Sequence, residues 1–194
     1  MTNKKPTKIE AEEAVRTLIK WAGDNPDREG LKNTPIRVVE AYNEFFKGYK
    51  DNLANLSDAT FGEVEKFNDI VLLQKIKFIS FCEHHILPII GYADVAYIPN
   101  NEVIGIGKIV RIVDVFSRRL QIQERLTVQI AEKLNSCLKP KGVAVSINAE
   151  HYCMNIRNMN QKSARMYTSH MIGVFKDNLQ LKNQFIELTS KHNK

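Results

Sequence analysis

The chain has 194 residues, of which 43% are hydrophobic, and its formal net charge is +6. This length supports one main domain with a small appendage, and no run approaches the roughly 20 apolar residues of a membrane span. The polar start, residues 1–8, lacks a signal-peptide core, and three cysteines do not make a disulfide framework, so we expect a cytoplasmic protein. The positive charge favours an anionic partner, but charge alone does not separate a nucleotide from a nucleic acid.

The first quarter of the chain has two helical patterns. Thr7 and Glu10 form a capping-box pattern ahead of apolar residues at helical spacing. After a polar break, Thr34 stands as the N-cap of a second helix and Pro35 as its first helical residue. We therefore expect two helices before any strand.

A polar, irregular stretch at residues 50–68 is typical of a linker. It divides the chain into an N-terminal helical segment with its linker, residues 1–68, and a main domain, residues 69–194. From residue 70 the apolar residues follow a β-β-α-α-β-β order, with a short helix near 184–188. The expected ranges are 70–81 and 91–98 for the first two strands, 109–120 and 126–138 for the helices, and 143–153 and 168–175 for the last two strands.

The motif Cys82-Glu83-His84-His85 stands where an extended run gives way to a turn. Cys82 and His85 are three residues apart, so their side chains can converge on one point while His84 projects elsewhere. A thiol and an imidazole that converge need a partner, and a second cluster of the same kind would supply it.

The second cluster is His151-Tyr152-Cys153. It continues the alternation of a half-buried strand, which points His151 and Cys153 inward. Thiolates and imidazoles together favour zinc. The alternative is that His151 and Cys153 are ordinary core residues and that His84 and His85 are a surface pair, but the presence of both clusters favours a metal site.

The number of ligands decides the kind of zinc site. A structural zinc normally has four protein ligands, whereas a catalytic zinc has three and keeps a water. Cys82, His85 and Cys153 make three, with His84 and His151 as neighbours, and this arrangement is typical of a catalytic site. The remaining cysteine, residue 137, falls on an apolar helical stripe and is expected to be inert core.

Lys108 and Arg111 are one helical turn apart near the start of a helix, which suits phosphate. A solvated basic face explains the same spacing equally well. Arg157 would add a guanidinium to the same phosphate site. Gln123 and Glu124 open the next helix, where a carboxylate is usually only a favourable charge for the helix dipole.

Three motifs of this chain belong together: Ser80-Phe81-Cys82-Glu83-His84-His85, Ser117-Arg118-Arg119-Leu120-Gln121-Ile122-Gln123-Glu124-Arg125-Leu126-Thr127 and His151-Tyr152-Cys153-Met154. With them the chain resembles the GTP cyclohydrolase I family, and the resemblance covers about residues 10–190. Weaker support comes from two stretches in the N-terminal segment, Arg28-Glu29-Gly30-Leu31 and Thr34-Pro35-Ile36-Arg37.

The resemblance implies an α+β protein with the tunnelling fold, an antiparallel sheet with helices on one face. In that fold the β-β-α-α-β-β units of several subunits join into a barrel, and two rings stack as a homodecamer with active sites at subunit interfaces. It also implies roles for individual residues. Zinc would lie on Cys82, His85 and Cys153; Glu124 would recognise the guanine edge with support from Gln123; and Lys108, Arg111 and Arg157 would hold the triphosphate.

The family's reaction is the zinc-dependent hydrolysis and rearrangement of GTP to 7,8-dihydroneopterin triphosphate with release of formate. It is the first step of tetrahydrofolate and pterin biosynthesis. In such a reaction zinc would activate the water that attacks C8 of the purine. We expect His151 to protonate N7 and His84 to transfer protons during ring opening or the sugar rearrangement.

The chain departs from the family's pattern around the expected phosphate pocket. Gly107 stands where the family usually has serine, Asn158 replaces the usual glycine, and the serine/threonine-rich strand is thinned to Ser163-Ala164-Arg165-Met166-Tyr167-Thr168-Ser169. A paralogue acting on a related nucleotide is therefore one alternative.

A second alternative is a catalytically silent zinc protein that assembles or binds a partner such as nucleic acid. His84, His151 and Glu124 favour the enzyme, because a structural zinc site needs none of them. We accordingly expect GTP and further copies of the chain as partners, and neither a membrane nor a nucleic acid.

Overall fold

The computed structural model of the protein describes residues 5–53, 60–62, 67–157 and 164–190. These residues fall into two compact units, divided between residues 47 and 48. The helices in the described ranges are α1 (Lys8–Trp21), α2 (Thr34–Phe45), α3 (Ile106–Ser117), α4 (Gln123–Leu138), α5 (Tyr152–Asn155), α6 (Val174–Asp177) and α7 (Leu179–Ser190), with a 3-10 turn at Lys47–Tyr49. The strands are β1 (Thr60–Phe61), β2 (Val71–Cys82), β3 (Pro88–Ile98), β4 (Val103–Ile104), β5 (Leu120–Gln121), β6 (Gly142–His151) and β7 (Met166–Gly173).

The first unit contains α1 and α2, which pack against each other. The predicted capping box is present: the backbone N of Glu10 donates to Oγ1 of Thr7 at 3.2 Å, and the backbone N of Thr7 donates to the Glu10 carboxylate at 2.7 Å. The prediction that Thr34 caps α2 is wrong, because Thr34 is already its first residue and Asn33 precedes it. The turn that leads into α2 starts earlier, since the backbone N of Thr34 donates to the carbonyl of Leu31.

The second unit is built on a five-stranded sheet of order β5-β2-β3-β6-β7. The four long strands pair antiparallel, and β5 pairs in parallel with the end of β2. Two helices, α3 and α4, pack on one face of this sheet. The α+β class and the predicted β-β-α-α-β-β order with an antiparallel sheet are thus confirmed. The domain boundary at residue 68 stays a prediction.

The predicted inward face of β6 is confirmed, because Val143, Val145, Ile147 and Ala149 are all 0% exposed beneath α3 and α4. The opposite face is covered at one end as well. There, α6 and α7 pack against that face of the sheet through Phe175 and Phe185. The sequence did not predict this second, smaller core.

Several elements begin earlier than predicted, among them β3, α3 and α7. β3 begins at Pro88, since proline is tolerated as the first residue of a strand. α3 begins at Ile106, directly after Gly105. α7 begins at Leu179 because Oδ1 of Asn178 accepts hydrogen bonds from the first-turn backbone, at 2.9 Å and 3.2 Å.

Candidate active site

One end of the sheet gathers the predicted metal residues. Phe81, near the end of β2, pairs with Pro88, and Ile89 pairs with His151 at the end of β6. The strands therefore bring the two Cys/His clusters to the same end of the sheet, although the clusters are far apart along the chain.

The turn after β2 is closed by two backbone hydrogen bonds. The N of Ile86 donates to the carbonyl of Cys82, and the N of Cys82 donates to the carbonyl of Leu87, both at 2.9 Å. Ile86 has a φ of 55°, a left-handed conformation that is uncommon for a β-branched residue. This tight turn places His85 back over Cys82.

Three potential metal ligands come together here. One ligand atom from each of Cys82, His85 and Cys153 lies within 4.8 Å of the other two. The Sγ of Cys82 and the Nδ1 of His85 are 3.8 Å apart. Around a tetrahedral zinc with bonds of about 2.0–2.3 Å, neighbouring ligand atoms stand about 3.5–3.8 Å apart. The predicted convergence is confirmed, and two thiols with one imidazole fit zinc.

The route by which Cys153 reaches this cluster differs from the prediction. β6 ends at His151, and Cys153 lies in the short helix α5. The prediction that the strand itself points Cys153 inward is wrong, because the chain turns into α5 at Tyr152. Burial raises the pKa of the Cys153 thiol, and the neighbouring Cys82 thiol raises it further. A bound dication would relieve both effects.

Arg157 contacts the same cluster. Its Nη1 lies 2.7 Å from Nε2 of His85. A guanidinium only donates hydrogen bonds, so Nε2 of His85 is the acceptor. His84 is exposed, and the centroid of its ring is 6.2 Å from that of His85, so it projects away from the ligands as expected.

The first turn of α4 lies beside the same end of the sheet. Oε1 of Gln123 is 2.9 Å from Nε2 of His151, and Gln123 is only 1% exposed. Burial lowers the pKa of His151, and the carboxylate of Glu124 acts in the opposite direction. A single chain therefore places His151, Gln123 and Glu124 next to the candidate metal ligands.

Sequence analysis missed the link between the metal turn and α4. Both Nη atoms of Arg125 donate to Oε2 of Glu83, at 2.9 Å and 2.7 Å. Each residue belongs to a family motif, but only the fold shows that they meet. The pair ties the turn that carries His85 to the helix that carries Glu124.

Lys108 lies in the first turn of α3, and Arg111 lies one turn further along the same helix. α3 follows β4, where the backbone N of Ile104 donates to the hydroxyl of Tyr97 at 3.3 Å. Tyr97 pairs with Val71, the first residue of β2, whereas Cys82 is its last. The 12 residues of β2 span roughly 36 Å at about 3.3 Å per residue. Within one chain, the helix that carries the two cations therefore begins at the end of β2 opposite Cys82.

The departures from the family's pattern are only partly described. A side chain added at Gly107 would meet no atom within 4 Å, so this position has room for the usual serine. Asn158 and Ser163 lie outside the described residues. The rest of the thinned stretch leads into β7, whose Thr168 takes part in the buried network around Gln123.

Fold and site together define a class: an α+β protein with a candidate three-ligand metal centre, flanked by a histidine and a glutamate, at one end of an antiparallel sheet. A profile of the GTP cyclohydrolase I family matches residues 11–190. The chain is 50% identical over 191 residues to a GTP cyclohydrolase 1 of Rickettsia bellii, covering 98% of this chain and 100% of that one. It is 51% identical over 187 residues to the protein of the same name from Rickettsia felis, covering 96% of this chain and 98% of that one.

The chain belongs to the GTP cyclohydrolase I family, and the resemblance seen in its motifs is confirmed. Among solved structures, an archaeosine synthase QueF-Like in the apo form matches with a TM-score of 0.46 and 21% identity, covering 54% of this chain and 93% of that chain. That likeness is too low to carry an argument. No helix among the described residues is long and apolar enough to cross a membrane.

Proposed function

We propose that the protein converts GTP to 7,8-dihydroneopterin triphosphate with release of formate, the first step of tetrahydrofolate and pterin biosynthesis. The observation that carries this proposal is the meeting of Cys82, His85 and Cys153 beside His151 and Glu124, in a chain of this family. Relatives named GTP cyclohydrolase 1, matched over nearly their whole length, support the choice of substrate. The need for reduced thiols supports a cytoplasmic location.

Cys82, His85 and Cys153 would hold the zinc ion. When bound by these three residues, zinc supplies Lewis acidity and activates water near neutral pH. The turn that carries His85 is tied to α4 through the pair of Glu83 and Arg125.

The two histidines that are not ligands would move protons. His151 lies beside the cluster, and a part-buried hydrogen bond to Gln123 fixes its ring. A fixed ring suits a group that must transfer a proton to one atom, N7 of the purine. His84 is exposed on the metal turn and is assigned to proton transfers during ring opening or the sugar rearrangement.

Glu124 would select guanine. Its carboxylate accepts hydrogen bonds, and guanine offers donors at N1 and N2 where adenine offers none at N1. The Glu124 side chain is exposed in the single chain, and a bound base would enclose it. With adenine the enclosed carboxylate would lose its partners, and an unpaired enclosed charge is costly. The position of Glu124 in the first turn of α4, close enough to act on His151, sets the base next to the proposed proton donor.

The triphosphate would be held by residues of two chains. Arg157 belongs to the metal end of the sheet. Lys108 and Arg111 would come from a neighbouring copy, and the start of α3 at the opposite end of β2 from Cys82 supports this. A homodecamer with active sites at subunit interfaces accommodates this arrangement. In the part of the chain that the structure describes, β7 pairs only with β6, so its outer edge is open to a strand of another copy.

The proposed activity is tested with zinc-loaded protein and GTP, by following formate and, after oxidation, the fluorescent pterin. Both products should appear together and in equal amounts. Formate without a pterin, or neither product, would contradict the proposal.

The shared site is tested by complementation. Chains with Cys82→Ser and chains with Lys108→Ala should each be inactive alone, yet mixed assemblies should regain part of the activity. Sites in the mixture would then combine an intact Cys82 from one chain with an intact Lys108 from another. If both residues acted within one chain, no site in the mixture would be complete.

A further inference from the structure

The side-chain amide of Gln123 is held in one orientation. Its Nε2 lies 3.1 Å from the carbonyl of Ile147, 3.0 Å from the carbonyl of Met166 and 3.1 Å from Oγ1 of Thr168. Backbone carbonyls only accept hydrogen bonds, so the nitrogen must face them. A flipped amide would set Oε1 against two carbonyl oxygens in a place where Gln123 is only 1% exposed.

Two threonines fix the direction of this network. Oγ1 of Thr127 donates to the carbonyl of Gln123 at 2.8 Å, which uses its one hydrogen. Thr168, 2.7 Å from Thr127, must therefore donate to it. The lone pair of Thr168 is left to accept from Nε2 of Gln123, whose two hydrogens are shared among its three acceptors.

The other end of the amide faces His151. Oε1 of Gln123 lies 2.9 Å from Nε2 of His151, and this oxygen can only accept. The hydrogen between them must belong to Nε2. A neutral imidazole carries one N–H, so Nδ1 of His151 keeps its lone pair.

We propose that Gln123 is a positioning residue for His151: it orients the ring and holds the proton on Nε2, which makes Nδ1 the nitrogen that faces the reaction. To protonate N7, Nδ1 first takes up a proton from water, and the imidazolium so formed gives that proton to N7 while its Nε2–H stays on Gln123. The proposal rests on the proposed function, because it concerns the histidine assigned to N7. It differs from the role that the family resemblance implies for Gln123, support of Glu124 at the base. Direct contact with the purine would require the Gln123 side chain, only 1% exposed, to become accessible.

Kinetics of two buried-glutamine variants test the positioning role. Gln123→Leu keeps the volume and removes the amide, and kcat should fall about 10- to 100-fold while KM for GTP and the zinc content stay unchanged. Gln121→Leu is the matched control: Gln121 is also 1% exposed, and its amide donates to Phe116 and Gln129 instead of contacting His151. An equal loss of kcat in both variants, or a rise in KM as large as the fall in kcat, would overturn the proposal.

Solid-state nitrogen NMR of protein labelled with ¹⁵N-histidine reports the tautomer directly, with His151→Asn used to assign the signals. At about pH 8, where the ring is neutral, wild-type His151 should show a protonated Nε2 and a bare Nδ1. Gln123→Leu should show a mixture of tautomers. A wild-type spectrum with the proton on Nδ1 overturns the proposal even if the variants fail to fold. Absence of GTP turnover in the wild type would instead count against the proposed function, and the spectrum would still decide the tautomer.

Discussion

Arg157, expected to bind phosphate, donates to Nε2 of His85, expected to bind metal, over 2.7 Å. Because Nε2 accepts, the hydrogen of the neutral imidazole lies on Nδ1, which faces Sγ of Cys82 at 3.8 Å. Zinc bound through Nδ1 would shift that hydrogen to Nε2 and would end the hydrogen bond from Arg157. A predicted phosphate-binding residue and a predicted metal ligand, which belong to separate motifs in the sequence, are therefore in contact within one chain.

Replacing Arg157 should weaken the hold on the triphosphate. Loss of one charge-assisted hydrogen bond is worth about 1.5–3 kcal/mol, so Arg157→Ala should raise KM for GTP about 10- to 100-fold. Arg157→Lys should recover part of the loss, since it keeps the charge without the planar fork. Arg16→Ala serves as the control, because Arg16 lies in α1 and pairs with Asp27. An unchanged KM in Arg157→Ala would contradict the assignment.

Two of the three cysteines should be needed for zinc. Cys82→Ser and Cys153→Ser should lose the metal, because a serine hydroxyl is a poor substitute for a thiolate ligand. Cys137→Ser is the matched control: this residue of α4 is half-buried against the core and lies outside the cluster. Metal analysis of the purified variants decides the point. Full occupancy with normal activity in Cys82→Ser or Cys153→Ser would remove that residue from the ligand set.

The two histidines that are not ligands should matter for rate and not for metal. His84→Ala and His151→Ala should keep zinc and lose at least about 100-fold in turnover, the usual scale for a positioned acid or base. His170→Ala is the comparison, since His170 lies on β7 opposite Val145 and outside the cluster. Near-normal turnover in both variants would exclude His84 and His151 from the mechanism.

Guanine selection should depend on Glu124. The wild type should prefer GTP to ATP by several kcal/mol in kcat/KM, because adenine leaves the carboxylate unpaired. Glu124→Gln should reduce that preference, mainly by lowering kcat/KM for GTP. Competition between the two nucleotides measures it. Equal competition by ATP in the wild type would rule out a guanine pocket at this position.

Much of the second unit could be predicted from sequence, because burial leaves a periodic trace. Val145 and Ile147 alternate with less apolar residues in β6, and each faces the helices as that alternation requires. Cys153 shows the limit of the same signal. The apolar alternation continues through Cys153, but β6 ends at His151 and Cys153 lies in α5. Periodicity does not show where the backbone hydrogen bonds of a strand end.

Two features of the site depend on the fold and leave no local trace. The helix that carries Lys108 begins at the end of β2 opposite Cys82, which follows from the direction of β3 and not from the spacing of cations on a helix. The network around Gln123 joins Thr127 to Thr168, from different elements. The residue types suggest which side chains can form hydrogen bonds, but only the packing of α4 against β7 shows which of them contact each other.

The central claim is that one zinc site per chain, built by Cys82, His85 and Cys153, drives the conversion of GTP. It is tested most directly by titrating metal-depleted protein with zinc while formate release from GTP is followed. Activity should rise in proportion to added zinc and level off at about one zinc per chain. Full turnover by the metal-depleted protein, or no turnover at any zinc concentration, would contradict the account.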